Sequence, residues 1–116
     1  MNRTSFLTAC VFSASALLLA APATSVAAVD ATAAQALAKE SECFKCHTVD
    51  KTKKGPSYKK IAAKYKGKAD AEAKLIKHLK SGEKVKLEDG SEEDHKIIEV
   101  KDEAQIKNLV AWILSL

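Results

Sequence analysis

The sequence predicts an all-α domain of three to four short helices folded around a ligand carried on a loop, and three observations point that way. Apolar residues recur at helical spacing in three segments, and a fourth segment is alanine-rich with high helix propensity. Residues suited to helix ends bracket these segments: Asp30, Asp70 and Asp102 in front, Gly67 and Ser81-Gly82 behind. No run alternates apolar and polar residues for long enough to make a useful strand.

In chain order, a helix is expected from about Ala31 to Ser41, capped by Asp30. Gly55-Pro56 stops any helix and fixes a turn. Tyr58, Ile61, Ala62 and Tyr65 then mark a short helix, with Gly67 placed to end it. Asp70 can cap the next, in which Ala71, Leu75, Ile76 and Leu79 form the apolar stripe. Glu83 to Val100 shows no sustained period and holds the turn signal Asp89-Gly90, so it reads as a long loop, of the sort that is usually functional. A last helix starts at Asp102, with Gln105 completing a capping-box pattern. Ile106, Leu109, Val110 and Ile113 give it an apolar face that Trp112 and Leu116 extend.

The chemistry is concentrated in Cys43-Phe44-Lys45-Cys46-His47. Two thiols separated by two residues reach the two vinyl groups on one porphyrin edge, and the histidine that follows is carried beneath the iron, which reads as covalent attachment of haem c. A redox dithiol of the thioredoxin kind needs no such histidine and sits at a strand end in an α/β pattern, which is missing. A zinc site would have three ligands here and no second cluster to complete a tetrahedral set.

Residues 1–28 read as an export signal: Arg3, an apolar run from Phe6 through Ala20, Pro22, and a small-residue cleavage site at Ser25-Val26-Ala27-Ala28. The run is short and rich in alanine and serine, unlike a membrane anchor. Cys10 lies ahead of most of that run, the wrong place for lipid attachment. Residues 29–116 then form one small domain, and the compartment is the periplasm if the source is a Gram-negative bacterium. A domain of this size buries a limited core, so a large apolar cofactor would supply much of the contact it lacks. The 18 lysines and 15 acidic residues after Arg3 give only a slight positive balance, and no aromatic platform supports nucleic-acid binding.

With these features in place the chain resembles a class I cytochrome c, of the small bacterial c-551 and c-552 type. The resemblance runs through Cys43-x-x-Cys46-His47, Gly55-Pro56-x-Tyr58, Ala71-Glu72-Ala73-x-Leu75 and Asp102-Glu103-Ala104-Gln105 leading to Trp112. It implies that Pro56, nine residues after His47, offers its carbonyl to the other ring nitrogen of that histidine. It also implies that His78 stands where a basic residue faces a haem propionate. The family's second axial ligand is a methionine before the last helix, yet residues 29–116 contain none. His95 lies at the matching place and is the expected substitute. Lys96 would first have to lose its proton, from an ordinary pKa of about 10.4, and an empty or water-filled position is the remaining alternative. Nitrogen in place of sulfur stabilises ferric iron and predicts a lower reduction potential. Lys84 and Lys86 can stand in for the family's indole contact to a propionate.

Charge is strongly polarised along the chain, with 14 lysines and four acidic residues from Lys45 to Lys86, then eight acidic residues and two lysines from Leu87 to Glu103. Lys45, Lys51, Lys53, Lys54, Lys59 and Lys60 are expected near an exposed haem edge, where they would steer acidic redox partner proteins. The run from Glu88 to Asp94 lacks calcium-loop spacing, but its carboxylates could accept the second N–H of His95. The expectation is therefore a soluble, exported, monohaem electron carrier rather than an enzyme, ligated by His47 and His95. The rivals are a haem protein whose open or displaceable distal site binds small ligands or reduces peroxide, and a cytochrome subunit permanently attached to an oxidoreductase.

Overall fold

A computed structural model describes residues 27–116, so the expected export signal, all but its last two residues, lies outside the described residues. Four α-helices, one tight helical turn and one hairpin are found among the described residues. Helix α1 (Ala31–Glu40) starts where the Asp30 carboxylate accepts the Ala33 N–H at 2.9 Å, and it buries Ala34, Leu37 and Ala38. Its end is unusual. The Ser41 N–H bonds the Leu37 carbonyl, and the next residue, Glu42, takes a left-handed conformation (φ 59°) that ordinarily falls to glycine.

Helix α2 (Tyr58–Tyr65) is capped by Ser57, whose buried hydroxyl accepts the Lys60 N–H at 3.2 Å. Tyr58 and Ala62 face inward, with Ile61 half-buried beside them. Helix α3 (Ala71–Ser81) buries Ala71 and Leu75, while Ile76 and Leu79 lie at the edge of the core. Asp70 precedes it without capping it: its carboxylate pairs with Lys74 one turn on, at 2.8 Å. Gly82 closes α3 with φ 61°, and a Cβ there would stand 2.9 Å from Cδ1 of Ile97.

Helix α4 (Glu103–Leu114) forms the centre of the fold and buries Ile106, Leu109, Val110, Trp112 and Ile113. Burying each such aliphatic side chain is worth about 1.5–3 kcal/mol. Asp102 caps α4 through the Ala104 N–H at 2.9 Å, but Gln105 contributes only its backbone N–H, so the reciprocal half of the capping box is not made. Leu116 is 37% exposed and does not extend the apolar face. Helix α1 packs against α4, and the start of α1 is joined to the middle of α4 by a reciprocal pair: Asp30 N–H to Asn108 Oδ1 at 2.9 Å, and Asn108 Nδ2 to the Asp30 carbonyl at 2.8 Å.

The expected long loop contains a short antiparallel hairpin, β1 (Lys84–Lys86) with β2 (Glu92–Asp94), turned at Gly90 (φ 86°). Its register sets Lys84 opposite Asp94 and Lys86 opposite Glu92, cross-strand charge pairs on an exposed ribbon. No side-chain alternation announces it because neither strand buries a face. The hairpin continues into His95, whose N–H bonds the Glu83 carbonyl at 2.9 Å. Ile98 then anchors the segment, with its side chain in the core and its N–H on the Leu79 carbonyl at 2.9 Å.

Candidate functional site

The helices enclose a cavity of about 760 Å³, within the range of sites that bury an organic cofactor. Cys43, Cys46 and His47 line it together with apolar side chains of α2, α3 and α4, including Ile61, Leu75, Leu79, Leu109 and Ile113. The thiols are presented by the tight turn Cys43–Lys45, where the N–H groups of Cys46 and His47 both bond the Cys43 carbonyl. Neither cysteine is in a disulfide, so both sulfurs are free for thioether bonds. Burial pushes the Cys43 thiol pKa up, opposed by the neighbouring Tyr58 hydroxyl.

His47 is fixed on three sides. Its Nδ1 lies 2.6 Å from the Pro56 carbonyl oxygen, which can only accept, so Nδ1 carries the proton and Nε2 keeps its lone pair. Tyr58 stacks on the ring with centroids 5.4 Å apart and planes 17° from parallel. Gly55 passes beneath it, held by a bond from its N–H to the Cys46 carbonyl at 2.8 Å. Burial pulls the His47 pKa below its ordinary value, against the Pro56 bond that raises it.

His95 has the same internal arrangement. Its Nδ1 lies 3.0 Å from the Lys96 carbonyl oxygen, again leaving the lone pair on Nε2, and burial lowers its pKa, with the charges of His78 and His47 acting the same way. The acidic run supplies no acceptor: the carboxylate expected beside His95 is replaced by a backbone carbonyl. The rings of His47 and His95 both line the cavity, with centroids 6.3 Å apart and planes 50° from parallel. Metal–imidazole bonds of about 2.0–2.1 Å, with roughly 1 Å more from nitrogen to ring centre, separate two axial imidazoles by about 6 Å. The 6.3 Å centroid spacing matches that separation, with the two ring planes tilted by 50°.

His78 also lines the cavity, 4.1 Å from the His95 ring, and its Nδ1 is 2.6 Å from the Glu83 carboxylate. Lys84 and Lys86 line the hairpin side, Lys84 paired with Asp94 at 3.1 Å. The expected lysine ring is partly neutralised from within: Lys45 pairs with Glu42 and Lys59 with Asp50, while Lys53 Nζ donates to the Phe44 carbonyl. Gly55 and Tyr58 stand in the sequence motif, but their close approach to the His47 ring is tertiary, and Glu42 carries no sequence signal for its contacts.

A family model described as cytochrome c matches residues 31–116. The chain belongs to the cytochrome c family. Membership carries with it one covalently bound haem c and the role of an electron-transfer protein, and the thiol pair, the histidine that follows it and the apolar cavity suit such a group. The cytochrome is 66% identical to the class 1 cytochrome MtoD from Sideroxydans lithotrophicus ES-1, over 76% of this chain and 97% of that one, with a TM-score of 0.73. It is 36% identical over 80 residues to cytochrome c-551 of Allochromatium vinosum, covering 69% of this chain and 82% of that protein. A shorter stretch of 48 residues is 44% identical to cytochrome c-551 of Pseudomonas aeruginosa, so there the cytochrome spans about half of its relative, 46%. Among the described residues, no helix is long and apolar enough to cross a membrane.

Proposed function

We propose that this cytochrome is an exported, soluble carrier of single electrons whose haem is tied through Cys43 and Cys46 and whose iron is ligated by His47 and His95. The observation that carries the reading is the pair of imidazoles 6.3 Å apart in one cavity, each with Nδ1 committed to a backbone carbonyl. The haem supplies a reversible one-electron couple between ferric and ferrous iron. The protein's own part is to hold both donors in place before and after the electron moves, so little rearrangement accompanies transfer. Pro56 fixes the His47 tautomer, Tyr58 restrains its ring, and the apolar wall excludes water. With nitrogen rather than sulfur on the distal side, the couple sits lower than in methionine-ligated relatives.

His78 is assigned to a propionate, since Glu83 occupies its Nδ1 and leaves Nε2 available, with Lys84 and Lys86 as further cations at the cavity rim. The lysines around the attachment turn that form no ion pair among the described residues favour transient docking of acidic redox partner proteins. Residues 1–28 act as an export signal in this reading, which places the carrier in the periplasm of a Gram-negative source. Visible spectra of the ferric and ferrous holoprotein with and without carbon monoxide test it. A low-spin haem indifferent to the gas, turning high-spin in His95→Ala, supports bis-histidine ligation; an unchanged low-spin His95→Ala spectrum rejects it. The rival, a displaceable distal site that binds small ligands, draws on one observation: His95 rides on a segment beside the exposed Ile97 rather than on a helix.

A further inference from the structure

Glu42 stands where a helix ending of this form favours glycine, at the first residue past the cap, and it holds a left-handed backbone that costs any residue with a Cβ. Strain kept at such a position points to a use for the side chain. The Glu42 carboxylate reaches two cations. Oε1 lies 2.7 Å from Lys45 Nζ, within the attachment turn, and Oε2 lies 2.5 Å from Lys96 Nζ, 54 residues away. Lys96 follows His95 directly, and its carbonyl is the one that fixes the His95 ring.

The rest of the His95 arc is tied elsewhere. The backbone bonds nearest His95 run from His95 to Glu83 and from Ile98 to Leu79, both toward the end of α3, while farther along the segment the Glu88 N–H bonds the Lys54 carbonyl at 3.1 Å. Among the described residues, Glu42–Lys96 is the one ion pair that joins segment 83–100 to the turn bearing Cys43 and Cys46. Around His95 itself, the bridge is therefore the charged contact that opposes a displacement away from the attachment turn.

We propose that Glu42 is a positioning residue, a latch that acts through Lys96 to hold His95 over the iron and sets how readily the distal position opens to a small diatomic ligand. The proposal rests on the bis-histidine reading and adds the regulation of that same position. It also reconciles the two functional readings: latched, the protein is a closed carrier, and unlatched, it admits a ligand.

The test uses the ferrous holoprotein and carbon monoxide, whose binding must wait for His95 to leave. Glu42→Gln and Lys96→Gln are each expected to speed gas binding by roughly 1.5- to fivefold at low salt, the range of an exposed ion pair. The double variant should gain little over either single one, because both remove the same bridge. At about 1 M salt, where screening reaches a few ångströms, wild type and variants should converge. Glu42→Gly supplies the control for a merely structural role: glycine relieves the backbone, so thermal stability should hold or rise while gas binding still accelerates. Wild-type rates in both single variants at low salt, or fully additive effects in the double variant, would overturn the latch. If His95→Ala opens the site while the Gln variants behave as wild type, the latch fails and the ligand assignment stands. If His95→Ala changes nothing, both fail.

Discussion

The Gly55 backbone passes so close to the His47 imidazole that a Cβ at this position would sit 2.9 Å from Cε1 and 3.3 Å from Nδ1. The ring cannot retreat, since Tyr58 stacks on it and the Pro56 carbonyl holds Nδ1. Gly55→Ala should therefore displace the imidazole and destabilise the holoprotein by about 1–3 kcal/mol, the usual cost of overpacking. Thermal melting gives the stability, and a shift of the reduction potential or of the haem absorption bands reports the ligand. An alanine variant identical to wild type in all three would mean that His47 has more freedom than its contacts indicate.

His95→Met would restore the sulfur donor that residues 29–116 lack. Thioether ligation favours ferrous iron, so the potential should rise by more than about 59 mV, a tenfold change in the one-electron equilibrium. Redox titration measures it, and an absorption band from iron–sulfur ligation in the ferric state would confirm the bond. A potential that stays put while the haem remains low-spin would place the distal ligand elsewhere.

Asn108 is the clasp between the start of α1 and the middle of α4, bonded both ways to the Asp30 backbone. Asn108→Ala removes two hydrogen bonds at an exposed site, each worth about 0.5–1.5 kcal/mol. A loss of about 1–2 kcal/mol in denaturant titration is expected, with the haem spectrum unaltered because the clasp lies away from the cavity. A spectral change would show that α1 transmits strain to the attachment turn.

Acid should weaken the fold in a defined window. Lys45 and Lys96 hold the Glu42 carboxyl down to about 2 from an ordinary 4.5, and Lys74 holds Asp70 below its ordinary 3.8. A depressed carboxyl contributes stability that is complete above its unfolded value and disappears as pH falls through its folded value. Stability should accordingly decline from about pH 4.5 toward pH 2, and Glu42→Gln should flatten the upper part of that decline. Denaturant midpoints measured at intervals across the window would show it; a Glu42→Gln profile parallel to wild type would count against the ion pairs.

Local signals carried most of the backbone. Asp30 and Asp102 cap the helices they precede, Gly82 ends α3 in the left-handed conformation, and the stripes through Tyr58 and Ile106 turn inward. Asp70 went the other way because Lys74, one turn along, offered a full charge where the helix offered a backbone N–H. The hairpin was hidden for a different reason. Its three-residue strands bury no face, so no alternation exists to detect, and the remaining trace is the matching of Lys84 and Lys86 with Asp94 and Glu92. In the site, the attachment motif and the Gly55-Pro56 turn are contiguous and legible. The bond to His95 from its own chain was not: a backbone carbonyl of the neighbouring residue leaves no mark in side-chain chemistry, whereas the nearby acidic run suggested a carboxylate.

The single tryptophan of the chain, Trp112, stands edge-on to Tyr58 at 5.5 Å, and Tyr58 in turn lies flat against His47. This stack gives the molecule an intrinsic optical gauge. Indole emission so near a bound porphyrin is drained by energy transfer, and it brightens only when α4 parts from the cofactor. Fluorescence can thus follow refolding in real time without a dye, and a dark native state beside a bright denatured one would mark how tightly α4 and the pigment are held together.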